Sequence, residues 1–159
     1  MKQNLVATAL IGKFAWFVVI IIGCGVAGVT SSQKKEEARR SGTFQGIEVR
    51  VESFRIASEF KPFPDDKNSP VIEPPEGMTL CVVKFSVSPL KDATVLKASQ
   101  FAIRDSEGAK YKCAFTSLYN LCEGRKEQSC EFPFNVNKDV SITTFVVGDM
   151  ELSLKGLAK

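Results

Sequence analysis

The sequence predicts an all-β fold, an antiparallel sandwich of about seven strands behind a single N-terminal apolar helix. Three observations carry this expectation: hydrophobic residues that alternate with polar ones from Ile47 onward, an apolar run confined to the first 29 residues, and turn residues that punctuate the alternating stretches. With 159 residues, 44% of them hydrophobic and 25% charged, the chain is long enough for one globular domain and an appendage, and too ordinary in composition to be disordered or fibrous. The segmentation that follows is residues 1–29 as transmembrane helix, signal anchor or lipoprotein signal, 30–46 as a polar stalk, and 47–159 as the sandwich.

Leu5 to Val29 reads as 25 apolar residues broken by one charge, Lys13. A bilayer core needs about 20 residues of helix. A lysine at the centre of a span costs about 2.5 to 3.5 kcal/mol, whereas one near the end reaches the headgroups, so the helix is expected to start near Ile11 or Lys13, with Trp16 close to the interface. Three fates fit the same letters. Ile21-Ile22-Gly23-Cys24 has the form of a bacterial lipoprotein signal in which Cys24 is lipidated, Gly25-Val26-Ala27 offers small residues for cleavage, and an uncleaved segment is an anchor. Gly23, Gly25 and Gly28 also spell G-x-G-x-x-G with Glu48 downstream, but no alternation of strand and helix surrounds them, so small residues in a membrane helix are the better reading.

Thr30 to Gly46 is polar and of mixed charge, which suits a short exposed helix or a flexible stalk. Ile47, Val49 and Val51 then alternate with Glu48, Arg50 and Glu52, and Cys81, Val83, Phe85 and Val87 share one face of Met78 to Val87. Phe101 and Ile103 lead through Asp105-Ser106-Glu107-Gly108 into Tyr111, Cys113 and Phe115, a hairpin with a Gly-containing turn. Cys130, Phe132, Phe134 and Val136 alternate before the turn Asn137-Lys138-Asp139. Val140 to Val147 is β-branched, and Met150, Leu152 and Leu154 form the last strand. Two packed antiparallel sheets bury these faces economically, which is an immunoglobulin-like arrangement; a small barrel is the alternative.

Ala57 to Gly77 contains Pro62, Pro64, Pro70, Pro74 and Pro75, which excludes a central strand or a helix interior. Phe60 and Phe63 sit beside Pro62 and Pro64 and form either an exposed apolar recognition strip or a lid packed back on the sandwich. Asp65, Asp66 and Asn68 lack the spacing of an EF-hand loop.

Pro75 to Tyr111, with Glu76-Gly77 before the strand Met78 to Val87, then Phe101-Ala102-Ile103-Arg104-Asp105 and Gly108-Ala109-Lys110-Tyr111, resembles a class of bacterial surface proteins. These join a signal anchor or lipobox and a short polar stalk to an immunoglobulin-like sandwich related to the secreted immunoprotective antigens of mycobacteria. Members commonly end the first long strand in Asn, where this chain has Ser88-Pro89. The resemblance implies an extracytoplasmic domain of this fold and no particular activity.

The chain contains no His, which removes Ser-His-Asp triads, Cys-His pairs and imidazole metal ligands. Cys81, Cys113, Cys122 and Cys130 have no C-x-x-C spacing, so neither a structural metal nor another cofactor is expected. An even number of cysteines suits an oxidising compartment. Cys122 with Cys130 is the expected pair, since the polar, Gly-containing segment between them can fold back, and this leaves Cys81 with Cys113. The competing reading is a cytoplasmic-facing domain with four buried thiols. The first 45 residues hold six Lys/Arg against two Glu, while the remainder is nearly balanced, so no basic stripe for nucleic acid is expected.

The function expected is therefore a non-enzymatic, membrane-tethered binding or assembly module on the cell surface or in the periplasm, with a protein or cell-envelope partner and no small-molecule substrate. One alternative is a subunit of a larger membrane complex held by the N-terminal helix. The other is an envelope hydrolase using paired carboxylates drawn from Glu73, Glu76, Asp105 and Glu107.

Overall fold

In a computed structural model, the residues described are 35–90, 96–114, 120–121 and 127–158. The chain divides into two units, Met1–Lys34 and Lys35–Lys159. The expected N-terminal helix and Cys24 fall in the first unit, and together with Cys122 they lie outside the described residues. Among the described residues no helix is long and apolar enough to cross a membrane.

The second unit is all-β. Its strands are β1 (Ser41–Phe44), β2 (Ile47–Ala57), β3 (Met78–Pro89), β4 (Leu96–Lys97), β5 (Phe101–Asp105), β6 (Lys110–Lys112), β7 (Asn120–Leu121), β8 (Gln128–Asn137), β9 (Ile142–Val147) and β10 (Met150–Ser153). Two four-stranded antiparallel sheets result, ordered β1-β2-β3-β8 and β10-β9-β5-β6, with β4 and β7 as a separate pair. The only helical pieces described are a turn at 35–37 and a 3₁₀ turn at Ala98–Gln100.

The period of two places the core where the sequence does. Ile47, Val49, Val51, Cys81, Val83, Phe85 and Val87 are all at most 2% exposed, and they meet Phe101, Ile103, Phe145 and Val147 from the second sheet. Phe85 lies at the centre of this layer. Its ring is 5.2 Å from Phe101, 5.2 Å from Phe132 and 5.0 Å from Phe145, distances at which aromatic pairs attract beyond simple burial.

β3 is buried on both faces. Its second face, Leu80 and Val82, is covered by the proline-rich segment, which folds back and pins itself with a two-hydrogen-bond bridge between Phe60 and Ile72. A residue left over in β2 reconciles the two halves of that strand: the register slips between Val51 and Ser53, so Glu52 bulges out and forms an ion pair with Lys84 at 3.5 Å.

The stalk boundary needs correction. From residue 35 onward the polar stretch is part of the domain, because β1 pairs with β2 through a two-residue turn, Gln45-Gly46, in which both residues have positive φ (51° and 75°). That is the backbone twist a tight hairpin requires, and Gly supplies half of it without steric cost. The segment before β1 continues the contact: Arg40 O accepts from Val51 N–H and Arg39 O from Ser153 N–H, both at 2.8 Å.

Those bonds join the two sheets along one side. Along the other, Cys113 bridges to Phe134 and Ala114 N–H donates to Pro133 O at 2.8 Å. Parts of the β10 and β8 edges, which would otherwise present unpaired N–H and C=O groups, are thereby paired within the chain itself.

Candidate functional site

The two aromatic residues expected to form a recognition strip are separated by the fold. Phe60 is 7% exposed and packs with Leu80 and Val82, whereas Phe63 is 42% exposed at the outside of the same loop. The strip reading is corrected for Phe60, whose ring supplies the apolar cover that the outer face of β3 needs. Ser69 Oγ accepts from Phe63 N–H at 3.1 Å and Asp66 O accepts from Ser69 N–H at 3.0 Å, so Phe63 stands on a hydrogen-bonded turn. Asp66 Oδ1 accepts from Asn68 N–H at 2.9 Å, an Asx turn that accounts for the polar cluster there. Ile56 and Val71 are also exposed, at 58% and 46%.

The cysteine pairing inferred for Cys81 and Cys113 is not formed, and no disulfide joins Cys81, Cys113 and Cys130 to one another. The reason is topological. Cys81 lies opposite Phe134 in the β3–β8 ladder, and Cys113 bridges to the other side of the same Phe134. Two strand spacings, about 9.5 Å, exceed the Cα separation of about 7 Å beyond which a disulfide needs backbone movement. Burial pushes the Cys81 thiol up to about 12, which makes it a packing group rather than a nucleophile. The pairing expected for Cys122 with Cys130 lies outside the described residues. Cys130 itself is half-buried on β8 opposite Phe85.

Of the carboxylates named as acid/base candidates, Asp105 is placed with most definition. It is 4% exposed at the root of the β5–β6 hairpin. Its Oδ1 accepts from Glu107 N–H and Ala109 N–H, each at 2.9 Å, and its Oδ2 accepts from the Tyr111 hydroxyl at 2.9 Å. Burial alone would raise the carboxyl, but the Tyr111 hydroxyl and the backbone N–H groups of Ala109, Glu107 and Gly108 outweigh it and hold it below the ordinary carboxylate range. Both oxygens are thus committed to shaping the turn. Burial and the same carboxylate raise Tyr111 above the ordinary tyrosine range.

Because the folded-state value of Asp105 is depressed, its stabilisation is complete above the unfolded value of about 3.9 and is lost as pH falls through the folded one. The unfolding midpoint of the Asp105→Asn variant is therefore expected to depend less on pH below about 4 than that of the wild type. Denaturant titrations at stepped acid pH check this, and parallel profiles would show that the turn contributes nothing to the acid limb.

A second feature was not legible in the sequence. On the outer face of the second sheet is an open cleft of about 450 Å³ whose lining includes Glu36, Arg39, Thr144, Glu151, Ser153 and Lys155. β9 and β10 bring Thr144 opposite Ser153, and the turn at 35–37 supplies Glu36, whose carboxylate accepts from the Ser153 hydroxyl. Glu151 is held by Arg104 at 2.6 Å. The Ser153 hydrogen bond lowers the Glu36 carboxyl against a smaller opposing effect of burial, and the nearby charges of Arg39, Lys155 and Arg40 lower it further. These residues come from segments more than 100 positions apart in the sequence, and only closure of the sheet edge assembles them.

No family model and no curated protein matches the chain. A crystal structure of a conserved hypothetical protein from Bacillus anthracis is similar in fold, with a TM-score of 0.50 at 11% identity, covering 74% of this chain and 93% of that one.

Proposed function

We propose that the chain is a membrane-tethered, extracytoplasmic binding or assembly module that presents an immunoglobulin-like β-sandwich to a protein or cell-envelope partner. The apolar segment Leu5 to Val29 supports the tether. Strand order supports the immunoglobulin-like reading: β2-β3-β8 in one sheet and β10-β9-β5-β6 in the other match strands A-B-E and G-F-C-C′ of that fold. The resemblance to anchored bacterial surface proteins supports the exported location.

The observation that carries the binding role is where the apolar surface remains. Three of the four large apolar side chains left exposed among the described residues, Ile56, Phe63 and Val71, belong to or adjoin the proline-rich segment. That segment is fixed by the Phe60–Ile72 bridge, so it offers apolar contacts with little ordering cost.

The test uses the full chain extracted from its own membrane in mild detergent. The wild type is expected to sediment as an assembly larger than one chain, and Phe63→Glu to release it while leaving the unfolding free energy within about 0.5 kcal/mol of wild type, as for an exposed position. A single-chain mass for both proteins would contradict the proposal.

A further inference from the structure

The residues that open the domain and those that close it come together at one root. Arg40 Nη2 donates to Lys155 O at 3.2 Å, and Arg39 O accepts from Ser153 N–H at 2.8 Å. This brings Arg39, Arg40 and Lys155 around a single carboxylate, Glu36, which also accepts from the Ser153 hydroxyl. Lys35, Arg39 and Lys155 are exposed. Glu151, the other carboxylate of the cleft, is taken by Arg104. The guanidinium of Arg40 is half-buried, and its Nε has no hydrogen-bond partner among the described residues. A buried cationic donor without an acceptor is costly unless an oxyanion or water reaches it.

Charge counts point the same way. The two segments carry Lys35, Arg39, Arg40 and Lys155 against Glu36 and Glu37. The excess over these two segments is positive, and every residue lining the cleft except Leu152 is polar or charged, which favours an anionic headgroup over a lipid tail or an apolar peptide. Position in the chain selects the anion. The tether proposed above ends at Val29, and the five residues between it and Lys35 reach no more than about 20 Å even when fully extended.

We propose that this root is a docking site for anionic phospholipid headgroups, with Arg39, Arg40 and Lys155 receiving their phosphates. The inference rests on the tether reading. Docking would hold the sandwich down on the bilayer and fix which of its loops face outward. Each cation near an anionic surface contributes about fivefold to the equilibrium, and the effect fades within a Debye length, so it is salt-sensitive.

The experiment is hydrogen exchange of the full chain in nanodiscs of phosphatidylcholine alone or mixed with phosphatidylglycerol, read at the backbone amides of residues 35–41 and 153–157. Slower exchange is expected in the anionic discs, reversed by high salt. Arg39→Gln combined with Lys155→Gln should remove about 25-fold of that protection, at about fivefold per cation. Both side chains are exposed and their backbone bonds are unchanged, so the fold is retained. Equal exchange in the two discs, or an unaffected double variant, overturns the docking. Protection by inorganic phosphate alone in phosphatidylcholine discs reassigns the site to a free oxyanion and overturns it as well. Co-elution with the discs reads the tether separately: a chain that leaves them contradicts both proposals, whereas a chain retained in both discs with identical exchange contradicts the docking alone.

Discussion

Phe85→Ala is expected to lower the stability of the domain by about 4 kcal/mol, within the range for deleting a fully buried ring. Phe85 is 0% exposed and touches Phe101, Phe132 and Phe145, so it joins the first sheet to the second through β5 and β9 and to its own neighbour β8. Removing the ring loses its transfer free energy and leaves a cavity that three further rings cannot collapse into without abandoning their own contacts. With domain stabilities of about 5 to 15 kcal/mol, a single truncation of this size consumes much of the margin. Urea unfolding of a fragment beginning at Lys35 measures it, with the slope unchanged. A loss below about 1 kcal/mol would mean that the aromatic layer is not the centre of the fold.

Gly148→Ala is the second large effect, and it has two separable causes. Gly148 has φ of 62°, where an alanine costs about 1 to 2 kcal/mol. A Cβ there would also fall inside the Phe44 ring, which crosses the β9–β10 turn from β1. Overpacking of this kind costs about 1 to 3 kcal/mol, so a total of about 3 kcal/mol is expected. In a Phe44→Ala background the steric part vanishes, and only the backbone cost of about 1 to 2 kcal/mol remains. A double-mutant cycle reads the difference as coupling between the two positions. Strict additivity would show that the ring does not pack on the turn.

What the sequence revealed and what it concealed follow from the range of each signal. Alternation is a local property, so the inward faces of β2, β3 and β8 and the β5–β6 hairpin are readable from Ile47, Val83, Phe134 and Asp105 to Gly108 alone. β1 escaped because its turn is Gln45-Gly46 rather than the Asn-Gly or Asp-Gly that signals such hairpins, and because its short strand follows directly on a run of charged residues. Pairing of the cysteines failed for a different reason. An inward position is visible in a strand, but that Phe134 separates Cys81 from Cys113 depends on strand order, which no local pattern encodes. The lid was legible as an alternative: a proline-rich loop with two aromatics must either expose or bury them, and the apolar outer face of β3 selects burial for Phe60. The basic root could not be read at all, since Arg40 meets Lys155 and Arg39 meets Ser153 only when the sandwich closes on itself.

The cleft and the lid differ in what they ask of a partner. Phe63 and Val71 offer apolar contact on a fixed loop, while the root offers charge. A partner held by the first and a headgroup layer held by the second would constrain the domain from two directions, which suits presentation at a set distance from a surface.

The tethered, exported location is the claim on which the rest of the functional account depends, and protease accessibility addresses it most directly. Spheroplasts expressing the full chain with a C-terminal epitope are treated with protease before and after lysis. The account predicts loss of the epitope from intact spheroplasts while a cytoplasmic marker survives. Protection of the epitope until lysis would place the domain on the cytoplasmic side and contradict it.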